Sequence, residues 1–478
     1  MMRNIYALSL SAFIFAGCSL SPELNIPTTQ FPQAYRSDVK SEISYVDAAW
    51  WSNYGDAKLS SLIEEALSNN YDLQTSMANI SLARATLSSS TSDRYPSLDV
   101  KGSGQRIRSS ADTFNSQAHN TYNDFSLSAV LSYELDLWGK YKEAEASSRA
   151  SLIASYAAKD TVKISLAASV AESYFTLISL YEQLDITNET IKAREEGLKR
   201  NEAKYALGAI AKTTLLSERA ELNSAHITKD ALEQSIALQQ SALAVLVGKS
   251  PEAIATFSKD GLPRILPNDV KVPANLPSEL LTKRPDIKQA EENLKAANAN
   301  IGVARATYLP SISLSGALGF ESTQLSNLMK SQSGMNNFGG SLASPLINMG
   351  KTSANVESAK ANKKLAEITY AKTVQQAFQE AYDALNKRHT LTQKLEHQLS
   401  YEKNIEQVYV LAKKQYESGY GDYLTLLDAK RNLLSAKLAT SQTKQALLSS
   451  GVSLYKSLGG GWDKEAYSEK NKEILENR

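Results

Sequence analysis

From Phe125 to Leu137 every odd-numbered residue is apolar, while serines, Glu134 and Asp136 fill the even positions and Val130 alone breaks the rule. Alternation of period two sends the two sets to opposite faces of a strand, and residues at about 3.3 Å each would carry this one for about 43 Å. That is long for a soluble sheet and ample for a tilted strand crossing a bilayer. Ile312, Leu314, Gly316, Leu318 and Phe320 repeat the pattern, and Leu98, Val100, Gly102 and Phe338, Gly340, Leu342 carry weaker versions. The expectation is a pair of strands in each half, joined by polar connections at Asn115 to Asn123 and Gln332 to Asn337. A soluble sheet packed on helices would show the same alternation.

The sequence also matches itself. Asp72-Leu73 to Tyr95-Pro96-Ser97-Leu98 lies on Asp286-Ile287 to Leu309-Pro310-Ser311-Ile312 at an offset of 214. At an offset of 211, Leu131, Leu135, Gly139, Lys140 and Ser147 lie on Leu342, Leu346, Gly350, Lys351 and Ser358, and Tyr205, Gly208, Leu215 and Leu216 on Tyr416, Gly419, Leu426 and Leu427. A fixed offset over this distance is an internal repeat. The change of three residues falls between about 98 and 131, where a hairpin loop absorbs insertions at little cost.

After each strand pair a Gly-Lys opens a long helical pattern. Neither Gly139 to Ala206 nor Lys351 to Ser418 contains proline, and each could reach about 100 Å at 1.5 Å per residue. Ala167, Ala171, Tyr174, Ile178 and Tyr181 form one apolar seam, and Leu166, Val170, Leu177, Leu180 and Leu184 form a second beside it. A helix with two adjoining seams packs neighbours on two sides, as in a multi-helix wall. Shorter helical stretches run from Lys58 to Arg94, Lys212 to Gly248, Asp286 to Tyr308 and Asp422 to Ser457. Each half is expected to pack its long helix antiparallel against a stacked pair of short ones. The turns fall at Leu207-Gly208-Ala209 and Ser418-Gly419-Tyr420-Gly421, far from the strands, with glycine where a helix end needs positive φ.

Composition narrows the function. Lys plus Arg total 52 against 51 for Asp plus Glu, so no charge excess steers toward nucleic acid. Cys18 is the only cysteine, which removes intrachain disulfides and thiolate metal clusters. It ends the apolar run Ile5 to Gly17 behind Arg3, in the context Phe15-Ala16-Gly17-Cys18, and this resembles a bacterial lipoprotein signal. Leucine is the usual residue where Phe15 stands. The resemblance implies cleavage before Cys18, with diacylglycerol and an N-acyl chain on the new terminus, and Ser19 in place of aspartate implies sorting to the outer membrane. No run of about 18 apolar residues follows Cys18, so membrane crossing falls to strands. Four strands cannot close a barrel, since the smallest transmembrane barrels have about eight. Two, three or four copies would supply 8, 12 or 16 strands, and strand counting does not choose among them.

Trp50-Trp51-Ser52-Asn53-Tyr54-Gly55-Asp56, Arg284-Pro285-Asp286-Ile287, Ala296-Ala297-Asn298-Ala299, Ile301-Gly302-Val303-Ala304-Arg305-Ala306, Tyr423-Leu424-Thr425-Leu426-Leu427-Asp428 and Tyr455-Lys456-Ser457-Leu458-Gly459-Gly460-Gly461-Trp462 resemble the TolC-like outer-membrane factors. The likeness is to their lipidated branch, associated with RND pumps. It implies a mainly α protein with a small β part: a homotrimer whose 12-stranded transmembrane barrel continues into a periplasmic α-barrel. It further implies the exit duct of a tripartite efflux pump in a Gram-negative outer membrane, loaded by an RND-type inner-membrane pump and a periplasmic membrane-fusion adaptor. No enzymatic activity, cofactor or metal is expected, because no P-loop, GxSxG or HExxH pattern occurs and His119, His226, His389 and His397 are scattered. A duct for type I protein secretion and a periplasmic lipoprotein scaffold without a pore are the rival readings.

The expected organisation is a signal peptide at 1–17, an acylated extended tether at 18–55 carrying Pro22, Pro27 and Pro32, a first repeat at 56–250, a linker at 251–276, a second repeat at 277–462 and a charged tail at 463–478. Leu207, Gly208, Ala209, Gly419 and Tyr420 are the expected adaptor-docking tips. Asp422 is the leading candidate for a periplasmic gate, where repeated carboxylates would concentrate cations, and helix capping by the same side chain is an equal expectation. Its repeat counterpart is Ala211, so such a ring carries one carboxylate per chain. Tyr416 and Asp428 are the accompanying gate candidates.

Overall fold

The computed structural model describes residues 20–27, 49–108, 121–255, 265–267, 269 and 284–460. Cys18, most of the tether and linker, and the tail from 463 lie outside them. After a 3-10 turn at Trp50–Tyr54 the elements are α1 Ala57–Asn69, α2 Tyr71–Ser92, β1 Ser97–Arg108, β2 Thr121–Glu134, α3 Lys140–Ala206, α4 Lys212–Leu246, α5 Pro285–Ala306, β3 Ser311–Ser322, β4 Gly334–Ala343, α6 Lys351–Glu417 and α7 Tyr423–Ser457, with a single helical turn at Pro251–Ala255.

The repeat holds at the level of elements. Helices α2 and α5 each have 22 residues, α3 and α6 each have 67, and α4 and α7 each have 35. Glycines with positive φ fall in pairs at the offset of 211: Gly139 with Gly350, Gly208 with Gly419, and Gly248 with Gly459. The hairpins agree in register as well. Ser97 faces Ser132 and Ser311 faces Ala343, and the two sequence offsets carry the first pair onto the second.

Three expectations need correction. The stretch from Lys58 to Arg94 is two helices, because Asn70 adopts an extended backbone and its Oδ1 accepts the amides of Asp72 and Leu73 at 2.8 and 3.3 Å, starting α2 afresh. The polar residues 121–123 and 334–337 belong to strands: Asn123 pairs with Arg106, and Asn336 and Asn337 pair with Leu318 and Ala317. An open ladder tolerates polar side chains on both faces, so polarity did not mark the loop. The β3–β4 connection instead contains the 3-10 turns Leu325–Asn327 and Ser331–Ser333. At the other end, β2 stops at Glu134 because Asp136 turns back to accept the amides of Tyr141 and Lys142 at 3.1 and 2.8 Å, capping α3.

Contacts group the described residues into two units, each drawing on both sequence halves. One takes its residues from Met1–Thr28, Asn79–Ser155 and Gln289–Ala371 and contains the sheet, a single antiparallel layer in the order β1-β2-β3-β4. Here residues 20–27 run along α5 without regular structure. Arg305 Nη1 donates to the Leu20 carbonyl at 2.8 Å, Asn298 Nδ2 to that of Pro22 at 2.9 Å, and Ser21 Oγ to Glu143 Oε2 at 2.6 Å.

The other unit, from Thr29–Ala78, Tyr156–Lys288 and Lys372–Arg478, holds the main apolar core. Both seams of α3 are in it: Ala167, Ala171, Tyr174, Ile178 and Tyr181 are buried together with Leu166, Val170 and Leu177, and Leu180 and Leu184 pack against them. Trp50 stacks on Tyr455 with ring centroids 5.1 Å apart, and the Tyr174 hydroxyl donates to Asp56 Oδ2 at 2.7 Å. The other Asp56 oxygen accepts the amides of Lys58 and Leu59 and so caps α1. Part of α3 is apolar enough to cross a membrane by composition, but 72% of that window is buried inside the molecule, as a helix with two seams requires. The helix also passes through Gly197, an interior glycine that costs about 1 kcal/mol relative to alanine.

Candidate functional site

The strand register sorts the sheet into two faces of different chemistry. Leu98 and Leu131, Ala129 and Leu318, Leu127 and Phe320, and Ile312 and Leu342 are cross-strand partners, so the apolar sets of all four strands share one face. Ser97, Lys101, Ser103, Ser126, Ser128, Ser132, Ser313, Ser315 and Ser341 share the other. Large side chains on the first face sit over glycines. A Cβ on Gly316 would come within 2.9 Å of the Phe338 ring. That face is uncovered: Phe338 is 71% exposed, Leu342 70% and Leu98 70%. The soluble alternative, with the apolar face packed on helices, is therefore not what this chain forms. Among the described residues, strands β1 and β4 each have one neighbour, which leaves the outer amides and carbonyls of both sheet edges without a strand partner there.

The expected docking tips are the turns that join α3 to α4 and α6 to α7. Gly208 has φ 72° and Gly419 φ 80°. Each closes its helix by the same device: the Ala209 amide donates to the Lys204 carbonyl at 2.8 Å, and the Tyr420 amide to that of Gln415 at 3.0 Å. Leu207 and Tyr420 project from these turns and are exposed.

Asp422 lies one residue beyond the second turn. It is exposed, and its Oδ2 accepts the Leu424 amide at 3.2 Å as the N-cap of α7. Tyr416 is half-buried, with its ring edge-on to Tyr423 at 5.8 Å and Lys204 Nζ 5.5 Å from its centroid. Asp428 is exposed and lies 3.8 Å from Arg431. The structure thus brings Tyr416 onto the start of α7 and leaves Asp428 on its surface.

Beside these residues lies an ionic cluster that the sequence reading did not single out. Glu218 and Glu221 of α4 are both buried, Glu218 to 2% exposure. Lys430 Nζ reaches Glu218 Oε1 at 3.0 Å, and Asn201 Nδ2 donates to the same oxygen at 3.3 Å. Glu221 is gripped from two helices: Arg194 of α3 lies 3.1 Å from Oε2, and Arg431 Nε of α7 donates to Oε1 at 2.7 Å. Arg194 also donates to the Glu221 carbonyl. Burial pulls the Arg194 guanidinium below its usual value against the opposing pull of Glu221 and Glu218, while the hydrogen bond to Glu221 raises that of Arg431. Burial and then Glu218 raise the phenols of Tyr423 and Tyr416. The available signal was Glu218 and Glu221 three apart on α4 beside the buried Leu215 and Ala225, which puts two carboxylates on a packed stripe. Among the described residues no group of His, Cys, Asp and Glu could hold a metal ion.

Comparison with known proteins places these features together. A model of the outer membrane efflux protein family matches residues 62–249 and again 276–460. The chain is 33% identical over 472 residues to the probable efflux pump outer membrane protein TtgC of Pseudomonas putida, covering 97% of this chain and 96% of that one. It is 34% identical over 470 residues to the probable outer membrane lipoprotein SilC of Salmonella typhimurium, covering 96% and 100%. The structure of the Campylobacter jejuni CmeC outer membrane channel matches with a TM-score of 0.89 at 30% identity, over 96% of this chain and 99% of that one. The open state of the Neisseria gonorrhoeae MtrE outer membrane channel matches with a TM-score of 0.81 at 29% identity, over 93% and 98%. The chain belongs to the outer membrane efflux protein family.

Proposed function

We infer that this chain is the outer-membrane channel of a tripartite efflux pump, conducting substrates from a pump and adaptor in the periplasm to the exterior. The observation that carries this is the sheet: one layer with an uncovered apolar face, an opposite face of serine and lysine, and two open edges. An apolar outer face suits lipid and a polar inner face suits a water-filled lumen. A single copy cannot close such a sheet, and open edges cannot face hydrocarbon. A homotrimer gives the 12 strands of a closed barrel.

The helices favour the same assembly. In α6 the apolar residues Leu365, Ile368, Tyr401, Val408 and Leu411 are exposed. Neighbouring copies would cover them. Cys18 carries the acyl chains in this reading, and the Leu20 and Pro22 carbonyls held by Arg305 and Asn298 keep the acylated end close to α5. The tips at Leu207-Gly208-Ala209 and Gly419-Tyr420 receive a periplasmic adaptor, and an RND-type inner-membrane pump supplies the energy. The duct itself makes and breaks no bond and uses no cofactor. Asp422, Tyr416 and Asp428 serve the periplasmic gate.

Reconstitution tests the reading. Purified full-length protein should run as a trimer in detergent and conduct ions across a planar bilayer. A monomer that stays in water after delipidation and gives no conductance would remove it.

A further inference from the structure

The register that divides the sheet into two faces also divides its charges. Of the charged residues in the four strands, Asp99, Lys101, Asp124, Glu134 and Glu321 fall in the serine set, opposite the exposed leucines. Arg106 and Arg108 break the division. They follow Leu98, Val100, Gly102 and Gly104 in the apolar set, and the ladder runs without interruption from Ser97–Ser132 to Arg108–Thr121. Two contacts fix the phase at this end of β1. A Cβ on Gly104 would meet the Phe125 ring at 3.2 Å on the apolar face, while Gln105 Nε2 donates to Asp124 Oδ2 at 2.9 Å on the other. The carboxylate of Asp124 is therefore turned away from both arginines.

Their height is as particular as their face. At about 3.3 Å per residue, Arg106 and Arg108 lie about 26 and 33 Å along the strand from Leu98, which a tilt of about 40° reduces to about 20 and 25 Å. The apolar band of a transmembrane barrel is about 25 Å tall. On the neighbouring strand the apolar set stops at Phe125 and gives way to Asn123 and Thr121, which pair with Arg106 and Arg108. Both arginines thus stand at the rim of the lipid face, at the end of the sheet away from the helices. At the helix end the cations are engaged, Arg94 by Glu145 at 2.5 Å and Lys140 by Glu134 at 3.2 Å. Arg106 and Arg108 are exposed, and no ion pair holds either among the described residues.

We propose that Arg106 and Arg108 bind the phosphates of lipid A, the acylated, diphosphorylated glucosamine disaccharide of the outer leaflet. The inference rests on the channel reading above, which sets the helices in the periplasm and so puts this rim in that leaflet. Charge complementarity selects the occupant. A cation facing hydrocarbon is costly at mid-depth and tolerated at the rim, where a headgroup phosphate compensates it. Each guanidinium offers forked donors that match phosphate oxygens, and the two stand about 6.6 Å apart on one face.

Native mass spectrometry of the detergent-solubilised full-length trimer, titrated with diphosphoryl lipid A, tests this. Arg106→Gln with Arg108→Gln should weaken binding at least about tenfold, and Lys101→Gln, which removes a cation from the opposite face of the same strand, should leave it within about twofold. Should the glutamine variant fail to assemble, Arg106→Lys with Arg108→Lys carries the test, with an expected loss of at least about threefold as the forked donors go. Smaller losses overturn the proposal. Dioleoylphosphatidylglycerol bound as tightly as lipid A overturns it as well, because any anionic lipid would then serve. Unaltered trimers that bind no lipid A overturn it and leave the channel reading intact, whereas an unaltered chain that forms no trimer removes both.

Discussion

Arg284 donates through Nη1 to the carbonyl of Ser457 at 2.7 Å, tying the residue before α5 to the last residue of α7. Its repeat counterpart is Asn70, whose Nδ2 donates to the carbonyl of Leu246, the last residue of α4, at 3.0 Å. Two different side chains thus solve one problem, since a helix that ends inside the protein leaves carbonyls that need a donor. Arg284 does more: Nε and Nη2 hold Asp286 at 3.0 and 2.7 Å, and Nη2 reaches Glu380 at 2.8 Å.

Arg284→Met should therefore destabilise the chain by about 2–4 kcal/mol, because it orphans a buried carbonyl and leaves the half-buried Asp286 uncompensated. Asn70→Ala, which removes a cap and one tether, should cost about 1–2 kcal/mol. Urea denaturation of detergent-solubilised protein measures both. Equal costs would show that the ionic part of the Arg284 site adds nothing.

Two glycines of similar φ make a second comparison. At Gly248, φ is 77° and a Cβ would meet the Asn69 carbonyl oxygen at 2.5 Å, whereas at Gly208, φ is 72° and nothing lies within 4 Å. Gly208→Ala should cost about 1–2 kcal/mol for the left-handed backbone alone. Gly248→Ala carries the same term plus overpacking against a backbone that cannot yield, about 1–3 kcal/mol more. A thermal melt of each variant reads the difference, and identical shifts would mean that the Asn69 turn moves freely.

What could be read beforehand was whatever has a period. The alternation at Phe125 to Leu137, the twin seams of α3 and the constant offsets all survive in the structure because each is set by which face a residue shows. What could not be read depends on side chains that act once. Asn70 breaks a helix without proline or glycine: its Oδ1 caps α2 locally, while its Nδ2 finds a partner at Leu246, far away in sequence. The Glu218–Glu221 cluster showed locally only as two carboxylates on the stripe of Leu215 and Ala225, because its partners Arg194, Lys430 and Arg431 come from other helices.

That cluster should behave asymmetrically. Arg431 is half exposed and its loss costs little, about 1 kcal/mol or less. Glu221→Ala instead leaves Arg194 buried at 5% side-chain exposure without its carboxylate, so a cost of about 3–5 kcal/mol is expected. A double-mutant cycle across Arg194 and Glu221 isolates the pair. A coupling near zero would mean that the Glu221 carbonyl, and not its carboxylate, holds Arg194.

The tips separate folding from partnership. Leu207 and Tyr420 are exposed and their turns are closed by backbone bonds, so Leu207→Asp with Tyr420→Ala should leave trimer stability within about 0.5 kcal/mol. Loss of an apolar and an aromatic anchor should nonetheless weaken adaptor binding at least tenfold and abolish efflux in cells. Retained efflux with normal protein levels would move the docking surface elsewhere.

Asp422 carries two proposed duties, and one pair of substitutions divides them. Its Oδ2 accepts the Leu424 amide, and asparagine caps a helix about as well as aspartate does. Asp422→Asn should therefore keep stability, while Asp422→Ala loses about 0.5–2 kcal/mol. If the exposed carboxylates also form a ring at the periplasmic mouth, both variants remove its negative field equally, and both should show reduced cation preference in single-channel recordings at low salt, where screening is weakest. Reversal potentials that match the unaltered channel in both variants would leave Asp422 a cap alone, and a change in the alanine variant only would trace the effect to a frayed α7.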